Sequence, residues 1–272
     1  MKKKPLKLLA ALTAFAILAG LGWFANAMVG NPVSRYLAGR TARDHLAQTY
    51  PGTDYEITKV SYNFKDGYYH AFVESPSSAD TYFTIAITMT GALRYDDFSL
   101  VAEGFNTARR LEEEYRTLCD TVLEAADFPY TLSIGYGTLE IYPRSAQGEA
   151  STPSYALIQE DLELDGRYDI RQLGAEAGHL ILYVDSDDVS PELAAEVLLE
   201  VRQRMEEAGV PFFAVDLTLR PPTTQAGAHR PADSVTVCHF PCASIQEEDL
   251  VLRIQEAQEA TAAYYEAMDA EK

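Results

Sequence analysis

Residues 8–29 constrain this chain more than any other stretch. They carry no charge, and Thr13 and Asn26 are the only clearly polar side chains among them. As a helix rising 1.5 Å per residue the run is about 33 Å long, enough to cross the ~30 Å hydrocarbon core of a bilayer. Lys2, Lys3, Lys4 and Lys7 precede it. A cleaved secretory signal is the competing reading, because Ala25-Asn26-Ala27 has the small-x-small form of a cleavage site. The run is longer than the usual signal core of about 7–15 residues and stays apolar past Ala27, which favours a retained anchor. The leading lysines place the N-terminus in the cytoplasm, although Arg35, Arg40 and Arg43 come soon after the span. Both readings send the rest of the chain out of the cytoplasm, either tethered by a single N-terminal span or secreted after cleavage near Ala27.

Beyond the span the chain reads as water-soluble protein. Apolar residues make up 47% of the chain, ample for folded cores, and the length beyond the span suits two modest domains. All 41 acidic residues lie beyond residue 29, and the whole chain has a net charge of −19. A field of that sign repels nucleic acid, so no nucleic-acid partner is expected. Three cysteines, an odd number, do not build a disulfide framework. Cys119 falls on the apolar side of a helical pattern, as a buried thiol does. Cys238 and Cys242 flank His239, which leaves a disulfide or a metal role open; Cys-x3-Cys is not a redox spacing, and zinc would need a fourth ligand that is not nearby.

Along the chain, Gly30-Asn31-Pro32 supplies a cap and a first-turn proline for a helix over 33–49, with a thin stripe of Val33, Tyr36, Leu37 and Leu46. Alternating strands come next over 55–64, 68–74 and 81–89, joined by the tight turn Lys65-Asp66-Gly67, with a short fourth strand at 93–95. From Leu100 the period lengthens: Phe105, Ala108, Leu111, Tyr115, Leu118 and Val122 mark one face of a long helix that ends near Asp127-Phe128-Pro129. A strand over 131–142, a polar loop over 143–154 and a short helix around 170–177 come after it. Strand 179–185, the helix opened by Ser190-Pro191 and strand 212–220 form a βαβ unit with parallel strands. Pro221-Pro222 leads into a loop expected to be mobile up to Asp233. A strand over 234–240 precedes Ser244-x-x-Glu247, a capping-box spacing for the closing helix.

The predicted class is α+β. A membrane helix spans 1–29, and a cystatin-like domain of one helix against an antiparallel sheet spans 30–128, with the long helix closing it. A C-terminal α/β sandwich, in a ferredoxin-like arrangement as one option, spans 129–272.

Local catalytic signatures do not occur. There is no Gly-x-Ser-x-Gly elbow, no His-Glu-x-x-His and no phosphate-cradling glycine loop, and Gly135-Tyr136-Gly137 is too short to hold a dinucleotide. His45, His70, His179, His229 and His239 are scattered. Asp185, Asp187 and Asp188 fail the spacing of a calcium loop and suit the positive end of the helix after them. No catalytic residue, cofactor-binding residue, metal ligand or cofactor is assigned from these patterns.

Several stretches resemble a known family: Gly30-Asn31-Pro32-Val33-Ser34, Tyr62-Asn63-Phe64-Lys65-Asp66-Gly67, Ser75-Pro76-Ser77, Gly104-Phe105-Asn106-Thr107, Tyr168-Asp169-Ile170 and Gly178-His179-Leu180. They are similar to the YfjL-like proteins of Firmicutes. The resemblance runs from the anchor almost to the C-terminus and implies a bacterial, membrane-anchored protein, without bringing catalytic residues or a cofactor. The functional expectation is a tethered extracytoplasmic module of a Gram-positive bacterium that binds a protein or peptide without catalysis, with the cleft between the halves as its recognition surface. The alternatives are an envelope hydrolase with dispersed carboxylates, or a metal or thiol role at Cys238, His239 and Cys242.

Overall fold

In the computed structural model, which describes residues 3–222 and 234–270, the chain divides into two units, 1–106 and 107–272. The first unit opens with α1 (Lys3–Val29), one helix long and apolar enough to cross a membrane, a property signal sequences share. Most of its described side chains are exposed, Phe15 and Trp23 at 71% and 73%. Gly30 ends it with a φ of 71°, and a side chain there would strike the Tyr69 hydroxyl and the Tyr62 ring. Tyr62 donates its hydroxyl to the Ala27 carbonyl at 3.0 Å, and the Asn31 amide donates to the Tyr69 oxygen at 2.6 Å. The end of α1 is thus bonded to the body after it.

Helix α2 (Pro32–Thr49) starts as the sequence suggests. The Asn31 side chain accepts from the Ser34 amide at 2.8 Å, and Pro32 occupies the first turn, where no amide donor is needed. Its buried face differs from the expected stripe. Ser34, Ala38, Gly39, Ala42 and Leu46 are buried, whereas Val33 and Tyr36 point to solvent. Small side chains let the helix axis come close to the sheet, which the larger residues would prevent. That sheet is an antiparallel meander in sequential order: β1 (Glu56–Asn63), β2 (Tyr68–Ser75), β3 (Ser78–Ile87) and β4 (Leu93–Asp96). Tyr69, Ala71, Val73, Phe83, Ile85 and Ile87 fill the core beneath α2, the larger ones contributing roughly 1.5–3 kcal/mol each. A short α3 (Ser99–Ala102) comes next.

The second unit contains α4 (Phe105–Leu123) from residue 107 onward, and this corrects the expected boundary at 128/129. Leu111, Tyr115, Cys119 and Val122 are buried in the second core. The periodicity of α4 shows that it packs one face; it does not show against which sheet. Strands β5 (Leu132–Leu139), β8 (Gly178–Asp185), β9 (Ala214–Arg220) and β10 (Val235–Pro241) form the second sheet in the order β10-β9-β8-β5. The pair β8/β9 is parallel and joined through α6 (Pro191–Glu207), as the βαβ pattern requires; both outer pairs are antiparallel. A ferredoxin-like sheet interleaves its strands in a split βαβ, so this sequential order is a different arrangement. Ser190 caps α6 by accepting from the Leu193 amide.

One face of the sheet, with Leu180, Leu182, Val184, Val215, Leu217 and Leu219, packs against α4, α6 and α7 (Leu250–Ala270). At Gly137 in β5 an added Cβ would lie 2.3 Å from the Cys119 sulfur, so glycine here lets α4 and the sheet touch. The capping-box spacing at Ser244 and Glu247 does not start α7. Cys242–Ser244 is a single 3-10 turn, and α7 begins after Asp249, whose φ is 54°. Two more strands, β6 (Ile141–Tyr142) and β7 (Leu157–Ile158), pair in parallel, and α5 (Ile170–Ala177) precedes β8. The segment expected to be a mobile loop, 223–233, lies outside the described residues, as does His229.

Candidate functional site

The face of the second sheet opposite its core carries a cluster built from four separate places in the chain. Alternation along β8 sends Leu180, Leu182 and Val184 into the core, so His179 points the other way. In β9 the same parity turns Asp216 away from Val215 and Leu217. Parallel pairing sets Ile181 opposite Asp216, which makes His179 and Asp216 diagonal neighbours on one face. Glu140 comes directly after β5. Its amide donates to the Ala177 carbonyl at 2.9 Å and its carbonyl accepts from the Leu157 amide at 2.8 Å, which fixes the direction of its side chain.

His239 arrives through an irregularity in β10. Pairing with β9 runs Val237–Leu217 and then jumps to Phe240–Val215, and His239 within the bulge has a φ of 48°. For a residue with a Cβ this left-handed conformation is costly, and bulges characteristically redirect a side chain. The bulge turns the His239 amide onto Asp216 Oδ1 at 2.6 Å, and its imidazole lies over that of His179 with ring centroids 4.8 Å apart. Tyr155, from the segment between β6 and β7, stacks on Phe213 at 4.3 Å and meets His239 Nδ1 with its hydroxyl at 2.8 Å.

His179 is buried, at 3% exposure, with Glu140 at Nδ1 and Asp216 at Nε2, the latter at 2.8 Å. Neither carboxylate can donate when ionised, so both ring nitrogens must carry protons and His179 is an imidazolium. Burial pulls its pKa down, but the bonds from Asp216 and Glu140 outweigh that and lift it to about 9. Burial likewise pushes Asp216 up, yet the bonds from His179 and the His239 amide hold it below the usual carboxylate range. Two carboxylates share one cation, and the remaining negative charge is felt nearby. Burial and the Glu140 charge push the Tyr142 hydroxyl to about 12, and they raise the Glu112 carboxyl on α4.

A groove of about 800 Å³ opens beside the cluster. Asp216, His239 and Pro241 border it on the sheet side, and Arg253, Ala257 and Thr261 of α7 border it on the other. Arg253 is held in place by the Ser244 carbonyl at 3.0 Å and the Gln246 carbonyl at 2.8 Å. Among the described residues β10 is an edge strand, so the groove runs between a sheet edge and a helix.

Of the residues weighed from sequence, His239 belongs to this site and its two cysteine neighbours do not join it as ligands. All three cysteines are thiols, and the half-buried Cys242 thiol is pushed up in pKa by desolvation. Among the described residues the group with metal-ligand chemistry is Glu140, His179 and His239. His45 lies in the first unit with Asp96, and His70 pairs with Asp66. Asp185 is taken by Arg220 at 3.0 Å and Ser133 at 3.0 Å, as a structural pair. Glu140, His179, Asp216 and Tyr155 carried no sequence signature. The one signal available was parity: a histidine and an aspartate fall on the side of their strands opposite the leucines and valines.

A family model described as the YfjL-like N-terminal domain matches residues 4–97, and one described as the YfjL-like C-terminal domain matches residues 114–255. No curated protein and no solved structure matches the chain significantly.

Proposed function

The chain belongs to the YfjL-like family, and we propose that it is a membrane-tethered binding or accessory module that acts without catalysis. Its N-terminus lies in the cytoplasm and the chain beyond α1 lies outside, held to the membrane by α1. The groove between β10 and α7 takes an extended segment of a protein or peptide, which can add to the sheet edge while its side chains meet α7. That groove is the observation carrying the reading.

Other features support it. The bonds from Tyr62 to Ala27 and from Asn31 to Asn26 tie the proposed cleavage region into the first unit, which favours retention of the anchor. A glycoside-cleaving form of the hydrolase alternative needs a carboxylic acid kept protonated to donate to a leaving group. Asp216, the cluster carboxylate that borders the groove, is instead held ionised by His179.

Two measurements test the proposal. External protease added to intact cells should degrade both units, and their protection would overturn the topology. A photo-crosslinking residue at Thr261 should give discrete adducts with a protein or peptide, whereas one at Glu113 on α4 should not. Ala257→Trp, which fills the groove, should abolish the adducts; equal labelling at both sites would overturn the assignment of the groove.

A further inference from the structure

We infer that Glu140, His179 and His239 form a binding site for one divalent transition-metal ion of the zinc class. The site rests on geometry and does not depend on what occupies the groove. One ligand atom from each of the three side chains lies within 4.8 Å of the other two, and the residues come from the end of β5, the start of β8 and the bulge of β10. Two imidazoles and one carboxylate are a donor set that zinc favours, with a fourth position left for water or substrate.

The surroundings fit that donor set closely. A metal-bound histidine nearly always gives its other ring N–H to a carboxylate, a carbonyl or another oxygen, which fixes the ring. His179 meets Asp216 through Nε2, so Nδ1 is the nitrogen turned toward Glu140. His239 meets Tyr155 through Nδ1, so Nε2 is the nitrogen left for a metal. The tyrosine hydroxyl can accept as well as donate, so it can receive the Nδ1 proton. Each histidine therefore already has an orienting partner on one nitrogen and leaves the other for the metal, which on His179 is the nitrogen that contacts Glu140. The ion would take the place of the proton between Glu140 and His179, and that proton would pass to solvent.

Zinc bonds of about 2.0–2.2 Å need donor atoms some 3–4 Å apart, so Glu140 and His179 Nδ1, now in direct hydrogen-bond contact, must part to admit the ion, while the wider spacing of the cluster, within 4.8 Å, must close by roughly an ångström. Glu140 and His179 are buried, whereas His239 is exposed and sits on the bulge, so the closing movement falls mainly to His239. The bulge thus has a role: it brings the exposed ligand over the two buried ones.

The test uses the full chain in detergent, stripped with a chelator and then titrated with Zn²⁺ by calorimetry. One ion per chain is expected. His239→Ala lies at an exposed position and should fold normally by circular dichroism while weakening zinc binding at least tenfold. Glu140→Gln should weaken it similarly, and Cys238→Ser with Cys242→Ser should leave it unchanged. Co²⁺ bound in place of Zn²⁺ should give a d–d spectrum without the near-ultraviolet thiolate band. Binding that survives His239→Ala, or depends on the cysteines, or is matched by Ca²⁺ as on an acidic surface, would overturn the site. Failure of the groove crosslinks would leave this result untouched.

Discussion

Each unit contains a histidine bonded to an aspartate, and the two pairs differ in everything else. In the first unit His45 Nε2 meets Asp96 at 2.6 Å, and Nδ1 meets the hydroxyl of Thr49 at 3.2 Å. Asp96 also accepts from the Tyr50 hydroxyl at 2.9 Å, so the aspartate has several partners and the histidine one charge to face. In the second unit the arrangement is inverted: one histidine serves two carboxylates, and it is buried more deeply. A histidine placed between a buried and a half-buried carboxylate compensates both of them. The same pair of residue types is thus a helix-to-strand tie in one unit and an electrostatic keystone in the other.

The largest effect should come from breaking that contrast directly. His179→Gln leaves two carboxylates without their cation, and removing one partner from a buried charged group costs about 3–5 kcal/mol. His45→Gln leaves Asp96 its bond from Tyr50 and should cost about 1 kcal/mol. Urea unfolding of the full chain in detergent, with amide exchange locating the loss in β8 and β9 or in β3 and β4, checks both. Equal losses would show that the second carboxylate does not matter.

The two pairs should also respond oppositely to pH. The pKa of His179 is raised from 6.5 to about 9 on folding. Its contribution is therefore full below 6.5 and disappears as the pH rises through 9; at its fullest it is on the order of 3 kcal/mol. Burial pushes Asp96 up, but the bonds from His45, Tyr50 and the Phe98 amide hold it below its usual value. Its contribution is full above the ordinary carboxylate range and is lost as the pH falls below it. In metal-free buffer, the stability difference between wild type and His179→Gln should shrink toward alkaline pH. The difference for Asp96→Asn should shrink toward acid.

These contrasts also mark what could be read in advance. Signals confined to a few residues were legible: the Asn31 cap before Pro32, the Lys65-Asp66-Gly67 turn, and Ser190-Pro191 opening the helix of the βαβ unit. Signals that depend on a distant partner were not. The apolar face of α4 is evident, but the sheet it covers begins only at Leu132. Glu140 and His179 are 39 positions apart, and His179 and Asp216 are 37 apart. They meet because β8 and β9 run parallel in a given register and because Glu140 is pinned between Ala177 and Leu157. His239 needed the bulge, which no residue type in Val-Cys-His-Phe-Pro announces.

Helix-to-sheet packing supplies the next comparison, because one substitution should have opposite signs in the two units. At Gly137 the new methyl would lie 2.3 Å from the Cys119 sulfur and 2.9 Å from its Cβ. Gly137→Ala should destabilise the second unit by about 1–3 kcal/mol, and Cys119→Ala should restore part of it. At Gly39 in α2 the nearest atoms, on Arg43 and Val60, are 3.7 Å away, an ordinary contact. Gly39→Ala should therefore stabilise the first unit by about 0.5–1 kcal/mol through helix propensity. Thermal unfolding of the two variants tests the difference, and a common sign would refute it.

The smallest effects concern the hydroxyls that touch the non-charged side of each site. Thr49 is exposed, and Thr49→Ala should change stability by no more than about 0.5 kcal/mol. Tyr155→Phe keeps the stacking on Phe213 and removes only the bond to His239 Nδ1, which should cost about 1 kcal/mol at most. What separates them is orientation. If Tyr155 holds His239 for a metal, Tyr155→Phe should weaken Zn²⁺ binding by about 10–100-fold, the range for outer partners of metal ligands. Thr49→Ala should leave zinc binding where it was. A Tyr155→Phe protein with unaltered zinc affinity would reduce its hydroxyl to the same minor structural part that Thr49 plays.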